Sequence, residues 1–403
     1  MAVTDISYFA RTNHRSSGVP FGIKQDDRLS HTYIIGKTGT GKSTLLETLA
    51  RQDADGGRGF ALIDPHGDLA DQVSDYLAKT APERLIRFDA ADPWLPYGFN
   101  ILRQQKGRRI PLAVSGFLET FKKIWPDAWG VRMEHVFRST LHALLERQGS
   151  ALPDILRLYA DEDFRKEITT RIQNDVVRKF WLDEFAHYPP RLKAEAVAPI
   201  QNKIGALLSD PLLHRVLVEP QIDLRFRRVM DEGKVLVANL SKGRIGAQSS
   251  MLLASLLVSM FGLAGFSRAE TNIRRPFFLY LDEFHSMTTL MLTDMMAELR
   301  KYGVGLVLAH QYLHQLEPDI RHSVLGNAGS MIAFRVGPED AFVLADEFQP
   351  SFKVLDLLNL PNRSIYLKLM IDGAPSVPFS ADVLAPELLP FSKPIHRTGD
   401  MTG

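Results

Sequence analysis

The chain has 403 residues, 45% of them hydrophobic and 24% charged, with a formal net charge of +1 and no cysteine. That length and apolar content give a globular protein of two or three domains, or one large domain with an insertion. The composition excludes disulfides, thiolate metal centres and an overall basic character, so any nucleic-acid surface must be a local stripe or pore.

Residues 1–30 are polar and read as an N-terminal arm, without the apolar core of a signal peptide. The first strand is predicted at His31–Ile35. The next helix is predicted at Ser43–Arg51, where Leu45, Leu46 and Leu49 share a face. Strands at Phe60–Asp64 and Leu85–Phe88 complete a β-α-β-α-β run to about Leu102. Such alternation specifies a parallel sheet covered by helices.

From Arg103 to Pro220 no strand is predicted. Apolar residues recur at helical spacing in Ile110–Phe121, Met133–Leu145 and Val197–Leu208, broken at Pro126, Pro153 and Pro189-Pro190. Alternation resumes with strands at Lys234–Leu240, Phe277–Leu281, Gly305–Ala309 and Ser330–Phe334, and a last pair at Ser364–Met370 and Ser376–Phe379. A helix is predicted at Leu292–Tyr302. The apolar run Met251–Phe266 falls short of the ~20 residues of a bilayer span and reads as a buried core helix. The expected organisation is an arm (1–30), an α/β domain in two segments (31–104 and 221–390), an all-helical insertion (105–220) and a C-terminal tail (391–403).

Gly36-Lys37-Thr38-Gly39-Thr40-Gly41-Lys42-Ser43 fits G-x-x-x-x-G-K-[ST], the phosphate-binding P-loop, and sits between a predicted strand and a predicted helix. That context lets backbone N–H groups cradle a phosphate at a helix N-terminus. The candidate nucleotide-binding residues are Gly36, Thr38, Gly39, Thr40 and Gly41 in the loop, with Lys42, Ser43 and Thr44 opening the helix. Lys42 suits the β- and γ-phosphates and the Ser43 hydroxyl suits Mg²⁺. A plain glycine-rich turn is the competing reading.

Phe277–Leu281 ends in Asp282-Glu283, the Walker B position of a P-loop enzyme. Asp282 would hold Mg²⁺, through water or through Ser43, and Glu283 would orient or deprotonate the attacking water. A helix N-cap is the alternative use of these carboxylates. Gln311 ends the next strand and is placed to sense the γ-phosphate or hold that water. Arg300 ends the preceding helix. It either complements that helix's dipole or serves as an arginine finger across a subunit interface. Arg335 is a second finger candidate. Asp64-Pro65-His66-Gly67-Asp68 reads as a tight turn shaping the site rather than a metal cluster.

The segments HTYIIGKTGTGKST (31–44), ALIDPHGDLA (61–70), FDAADPWLPYGFNIL (88–102), KVLVANLSKG (234–243), FFLYLDEF (277–284), ELRKYGVGLVLAHQ (298–311) and GNAGSMIAFRVGPEDA (326–341) resemble the HerA/FtsK class of P-loop ATPases. Within that class the resemblance is strongest to the type IV coupling proteins that pump DNA in conjugation. It covers about residues 18–104 and 221–385. It implies an α/β RecA-like P-loop NTPase of the additional-strand type, using ATP and Mg²⁺ in a homo-hexameric ring with sites between subunits. By position, Lys42 and Ser43 would be the Walker A pair, Asp282 and Glu283 Walker B, Gln311 the sensor and Arg300 the finger acting in trans. The helical insertion would contact DNA or the relaxosome. Two features of the class are not matched: N-terminal transmembrane helices and an N-terminal β-barrel.

The expectation is a cytoplasmic ATP hydrolase that translocates DNA without sequence specificity, with no transmembrane segment. A relaxase, a secretion channel or a nuclease is the candidate partner, and Lys242 and Arg244 are candidate pore residues, with a solvated loop as the favoured reading of that segment. The alternatives are a non-motor ATP switch that recruits a relaxase or effector, and a HerA-like defence ATPase paired with a nuclease.

Overall fold

The computed structural model describes residues 6–14 and 18–389. The expected tail at 391–403 lies outside them. The strands, in chain order, are β1 (Ile6–Thr12), β2 (Pro20–Lys24), β3 (Thr32–Ile35), β4 (Gly59–Asp64) and β5 (Leu85–Asp89). There follow β6 (Tyr97–Gly98), β7 (Ile222–Asp223), β8 (Val235–Asn239), β9 (Phe277–Leu281), β10 (Val304–His310) and β11 (Ser330–Ala333). The last four are β12 (Ser364–Lys368), β13 (Met370–Ile371), β14 (Ala374–Pro375) and β15 (Phe379–Val383).

Eleven of these strands form one sheet in the order β2-β1-β15-β12-β11-β3-β10-β9-β4-β8-β5. The block from β11 to β5 is parallel throughout. The strands β12, β15, β1 and β2 each join antiparallel to their neighbour. In the parallel block β3, β4, β8, β9 and β10 are buried at every position. This explains why they read as continuous apolar runs: helices cover both faces.

Alternate residues serve alternate faces. Ile34, Leu62, Tyr280 and Val307 pack with Leu45, Leu46 and Leu49 of the helix Lys42–Asp55 and Val73 and Leu77 of the helix Asp68–Thr80. Tyr33, Ile63, Leu281 and Leu308 face the other way, into a core shared with the helix Ala247–Ser267. That helix is long and apolar enough to cross a membrane, but 83% of its apolar window is buried in the protein.

Between Gly98 and Ile222 the described residues hold no strand. They form helices including Arg109–Ile124, Val131–Glu146 and Pro190–Ser209. The short parallel pair β6 and β7 closes the base of this helical stretch. Its core is continuous with the sheet's: Phe117, Phe137 and Trp181 belong to the same buried cluster as Leu281 and Leu253. At the seam, a Cβ on Gly116 would lie 2.8 Å from Met291 Cε, so the helix Arg109–Ile124 packs closely there and a larger residue would have to displace the end of the Met291 side chain.

Two stretches depart from the sequence reading. The residues expected as an arm carry β1 and β2, which extend the sheet. Phe9 and Ala10 are buried, and Phe9 and Phe21 pack edge to face at 5.7 Å. The final strand lies at Phe379–Val383 rather than Ser376–Phe379. Pro375 and Pro378 lack the N–H that a ladder requires, so pairing within the sheet starts after them.

Candidate active site

The parallel strands all end at one edge, and β3 delivers the P-loop there. Gly36 N donates to His310 O at 3.3 Å and Lys37 N to Arg335 O at 2.9 Å, so the loop is held by the strands on both sides. A Cβ on Gly36 would lie 2.5 Å from Phe334 Cβ, and Gly41 has φ 121°, so neither position tolerates another residue without strain. Gly41 offers no capping side chain to the helix Lys42–Asp55, which leaves first-turn N–H groups to an anion. Lys42 Nζ donates to Gly36 O at 2.6 Å. Burial pulls the Lys42 ammonium below its ordinary range, against the opposing pull of Glu283 and Asp282.

Walker B stands opposite. Asp282 N donates to Ile63 O at 3.2 Å, and Glu283 N to Asp282 Oδ1 at 3.1 Å. Burial, with Asp64 and Glu283 nearby, pushes the Asp282 carboxyl up to about 7, although Lys42 opposes this. Glu283 adopts φ 48° and ψ 44°, a left-handed conformation that a non-glycine residue holds at an energetic cost of about 1–3 kcal/mol. The turn re-aims the carboxylate towards β10. Gln311 Nε2 donates to Glu283 Oε1 at 2.6 Å, and Thr38 Oγ1 donates to Gln311 Oε1 at 2.8 Å. Glu283 Oε2 is buried without a hydrogen bond, 3.4 Å from His285 Nδ1. Burial alone would raise the Glu283 pKa. His285, Gln311 and Lys42 outweigh it and hold the carboxyl below its usual range.

Asp64 Oδ1 accepts from His66 N at 2.8 Å and Oδ2 from Ala70 N at 3.0 Å, with Gly67 at φ 100°. This is a turn that caps the following helix. Among the described residues no group of three side chains forms a metal cluster. The donors that Ser43 and Asp282 present are all oxygen, which suits a hard cation. Mg²⁺ is commonly bound through one or two carboxylates plus substrate phosphates rather than an all-protein cage, so the residues present fit it.

These groups border one open cleft of about 780 Å³, lined among others by Thr38, Lys42, Ser43, Asp282, Glu283 and Gln311. Gly39 and Gly41 of the loop and Thr44 of the helix line it as well. Thr40 is buried beneath the loop, where its hydroxyl donates to Lys37 O at 2.7 Å. Asn362 and Arg363 also line the cleft. The sequence reading missed both, although their position follows from topology. β12 is antiparallel to β11, so the loop before it opens at the edge where the parallel strands end.

Two candidates lie elsewhere. Arg300 is exposed in the turn that precedes β10, whereas Gln311 follows that strand. Seven residues of β10 separate the two ends, about 23 Å at ~3.3 Å per residue, so Arg300 cannot reach the cleft of its own chain. Arg335 does not line the cleft. Its Nη1 donates to Leu360 O at 3.1 Å and its Nη2 to Asn362 Oδ1 at 2.9 Å, so its charge is engaged by the loop before β12. Arg244 pairs with Asp89 at 3.0 Å, and Lys242 N donates to Pro65 O at 3.0 Å, which tie the segment after β8 to its neighbours.

A family model described as the central domain of the helicase HerA matches residues 12–259. A second, the DNA-binding domain of type IV secretion-system coupling proteins, matches residues 230–347. Among solved structures, the bacterial conjugative coupling protein TrwBΔN70 in complex with sulphate is similar. It superposes with a TM-score of 0.66 at 17% identity, covering 91% of this chain and 88% of that one. The plasmid coupling protein TrwB in complex with ADP and Mg²⁺ gives 0.63 at 16% identity over 94% and 95% of the two chains. VirB4 of Thermoanaerobacter pseudethanolicus gives 0.62 at 15% identity over 94% and 96%. No curated protein matches in sequence. At these identities the superpositions speak to fold, and the fold is the α/β RecA-like P-loop architecture that the motifs imply. The glycine loop, the paired carboxylates on the next-but-one strand and the matched residues 12–259 lead to one conclusion: this chain belongs to the HerA helicase central-domain family, and it resembles the type IV coupling proteins over residues 230–347.

Proposed function

We propose that the chain is a Mg²⁺-dependent ATP hydrolase that moves DNA through a homo-hexameric ring, in a coupling-protein-like role in DNA transfer. The observation that carries this reading is the bonded chain Thr38–Gln311–Glu283, which ties one carboxylate oxygen of Glu283 to the P-loop while the other faces His285 Nδ1 at 3.4 Å. A general base has to be held in place within hydrogen-bond reach of the water it activates. Gln311 fixes the carboxylate's orientation and ties it to Thr38, on the loop that meets the phosphates. Lys42 offers its charge to the β- and γ-phosphates, and Ser43 and Asp282 hold the cation. Mg²⁺ bound there supplies positive charge against the phosphate oxygens.

The position of Arg300 supports assembly. A finger one strand length from its own cleft is useful only to a neighbouring copy. The DNA-binding description of the matched coupling-protein family supports DNA as the cargo. ATP as fuel places the work in the cytoplasm. A relaxase, a secretion channel or a nuclease remains the class of partner.

Turnover and nucleotide binding, measured together, test the hydrolase. Lys42→Ala should abolish turnover. Glu283→Gln should retain ATP yet lose at least ~10²-fold in rate, the scale of one acid–base group. Hydrolysis by Glu283→Gln at the wild-type rate removes that residue from the mechanism. ATP turnover that is indifferent to DNA favours the switch that recruits a partner without moving DNA.

A further inference from the structure

The arginine that lies in the cleft is one that no motif points to. Arg363 N donates to Thr40 O at 2.8 Å, and Arg363 O accepts from Val383 N at 2.8 Å, so the residue is stapled to the P-loop on one side and to β15 on the other. Its side chain runs across the loop: a Cβ built on Gly41 would lie 3.5 Å from Arg363 Cγ. Arg363 borders the same cleft as Lys42 and Ser43, and among the described residues no carboxylate or carbonyl engages its guanidinium.

The backbone adds to this. Arg363 has φ 69°, a left-handed conformation that glycine adopts freely and arginine does not. The fold holds it there from behind, because Arg335 donates to Leu360 O and to Asn362 Oδ1, at 3.1 and 2.9 Å. The carbonyl of Arg335 also accepts from Lys37 N, so one residue links the P-loop to the loop that presents Arg363.

We infer that Arg363 is a second cationic contact, in cis, to the α- and β-phosphates of the bound nucleotide, and that Arg335 is its positioning residue. This rests on the reading of the cleft as an ATP site. Attachment decides which phosphates are involved. The Thr38 side of the loop carries Gln311 and Glu283, the groups suited to the γ-phosphate and water. Arg363 is attached at Thr40 and Gly41, beside the helix opening whose N–H groups cradle the α- and β-phosphates. A guanidinium there strengthens binding of ATP and ADP alike, and contributes to the affinity rather than to the chemical step.

Glycine is the informative substitution, because it removes the guanidinium and relieves the backbone at once. Fluorescent ADP and a non-hydrolysable ATP analogue, each with Mg²⁺, should be titrated onto wild type, Arg363→Gly, Arg363→Lys and Arg335→Leu. Arg363→Gly should keep or raise the melting temperature and weaken both nucleotides at least ~10-fold, the scale of one charge-assisted hydrogen bond. KM should rise with kcat unchanged, and Arg363→Lys should recover part of the affinity. Arg335→Leu should weaken both nucleotides less, and add nothing in an Arg363→Gly background, because it acts through Arg363. Unchanged affinity in Arg363→Gly overturns the inference, as does a loss confined to the ATP analogue or to kcat. If wild type binds neither nucleotide, the ATP reading itself fails.

Discussion

Gln311 donates to Glu283 at 2.6 Å, joining the end of β10 to the end of β9 across the sheet edge. The same side chain accepts from Thr38 at 2.8 Å, so the P-loop and the carboxylate share one amide. An amide is suited to this double duty because it donates through nitrogen and accepts through oxygen.

Gln311→Ala should therefore lose turnover without losing nucleotide. Freed from Gln311, Glu283 has neither a fixed orientation nor a link to the loop. The expected loss in kcat is about 10²-fold, the lower range for a group that orients general-base chemistry. Nucleotide affinity should stay near wild type. Steady-state hydrolysis beside equilibrium binding checks this, and a fall in affinity with unchanged kcat would make Gln311 a binding residue.

Arg300 should act on a neighbouring subunit. Arg300→Ala and Glu283→Gln chains should each be impaired when assembled alone, but a mixed interface would pair an intact finger with an intact carboxylate. Mixing the two should recover part of the hydrolysis, and activity should rise steeply with protein concentration. No recovery after confirmed subunit exchange would leave Arg300 as a residue that only caps its helix.

Acid stability should report on His31. Its Nδ1 accepts from Leu306 N at 3.0 Å and its Nε2 reaches Met296 O at 3.0 Å, so the neutral ring is the form that fits. Burial pushes its pKa down to about 4 from the ordinary 6.5, with the Arg300 charge adding to the effect. A histidine with a lowered folded pKa contributes its stability in full above 6.5. That share is lost as pH falls towards about 4, because the unfolded chain takes up the proton first. His31→Gln should be less stable at neutral pH and show a flatter decline between these values. Thermal unfolding across pH measures both, and an unchanged slope would show that His31 does not control it.

Much of this was legible from residue order. Strands buried on both faces read as apolar runs, so FFLYL and GLVLA fall at β9 and β10, the latter extended by one residue at each end. The P-loop carries its own identity because its glycines are required by sterics, as Gly36 against Phe334 demonstrates. The missed parts depend on pairings distant in sequence. Phe9 and Ala10 form a strand because β15, at the far end of the chain, pairs with it. Arg363 reaches the cleft only because β12 reverses direction, and no local pattern around Pro361-Asn362-Arg363 states that.

DNA affinity should be strongly dependent on salt. With a net charge of +1, attraction to phosphates has to come from a local lining, with Lys242 and the arginine-rich helices of 103–220 as candidates. Each neutralised phosphate releases a counterion, so log affinity should fall linearly with log salt, by roughly 0.9 per contact on duplex. Unrelated sequences should bind alike, because phosphate contacts carry no base information. Fluorescence anisotropy across a salt series measures this, and a strong preference for one sequence would contradict a motor that must pass any.

The most direct test is the rate of ATP hydrolysis by wild type with and without duplex DNA, at a concentration where the assembled ring has been verified by mass. DNA should raise the rate, and Glu283→Gln should lower both basal and stimulated turnover at least ~10²-fold. A ring that hydrolyses ATP at the same rate whether or not DNA is present would contradict the motor reading.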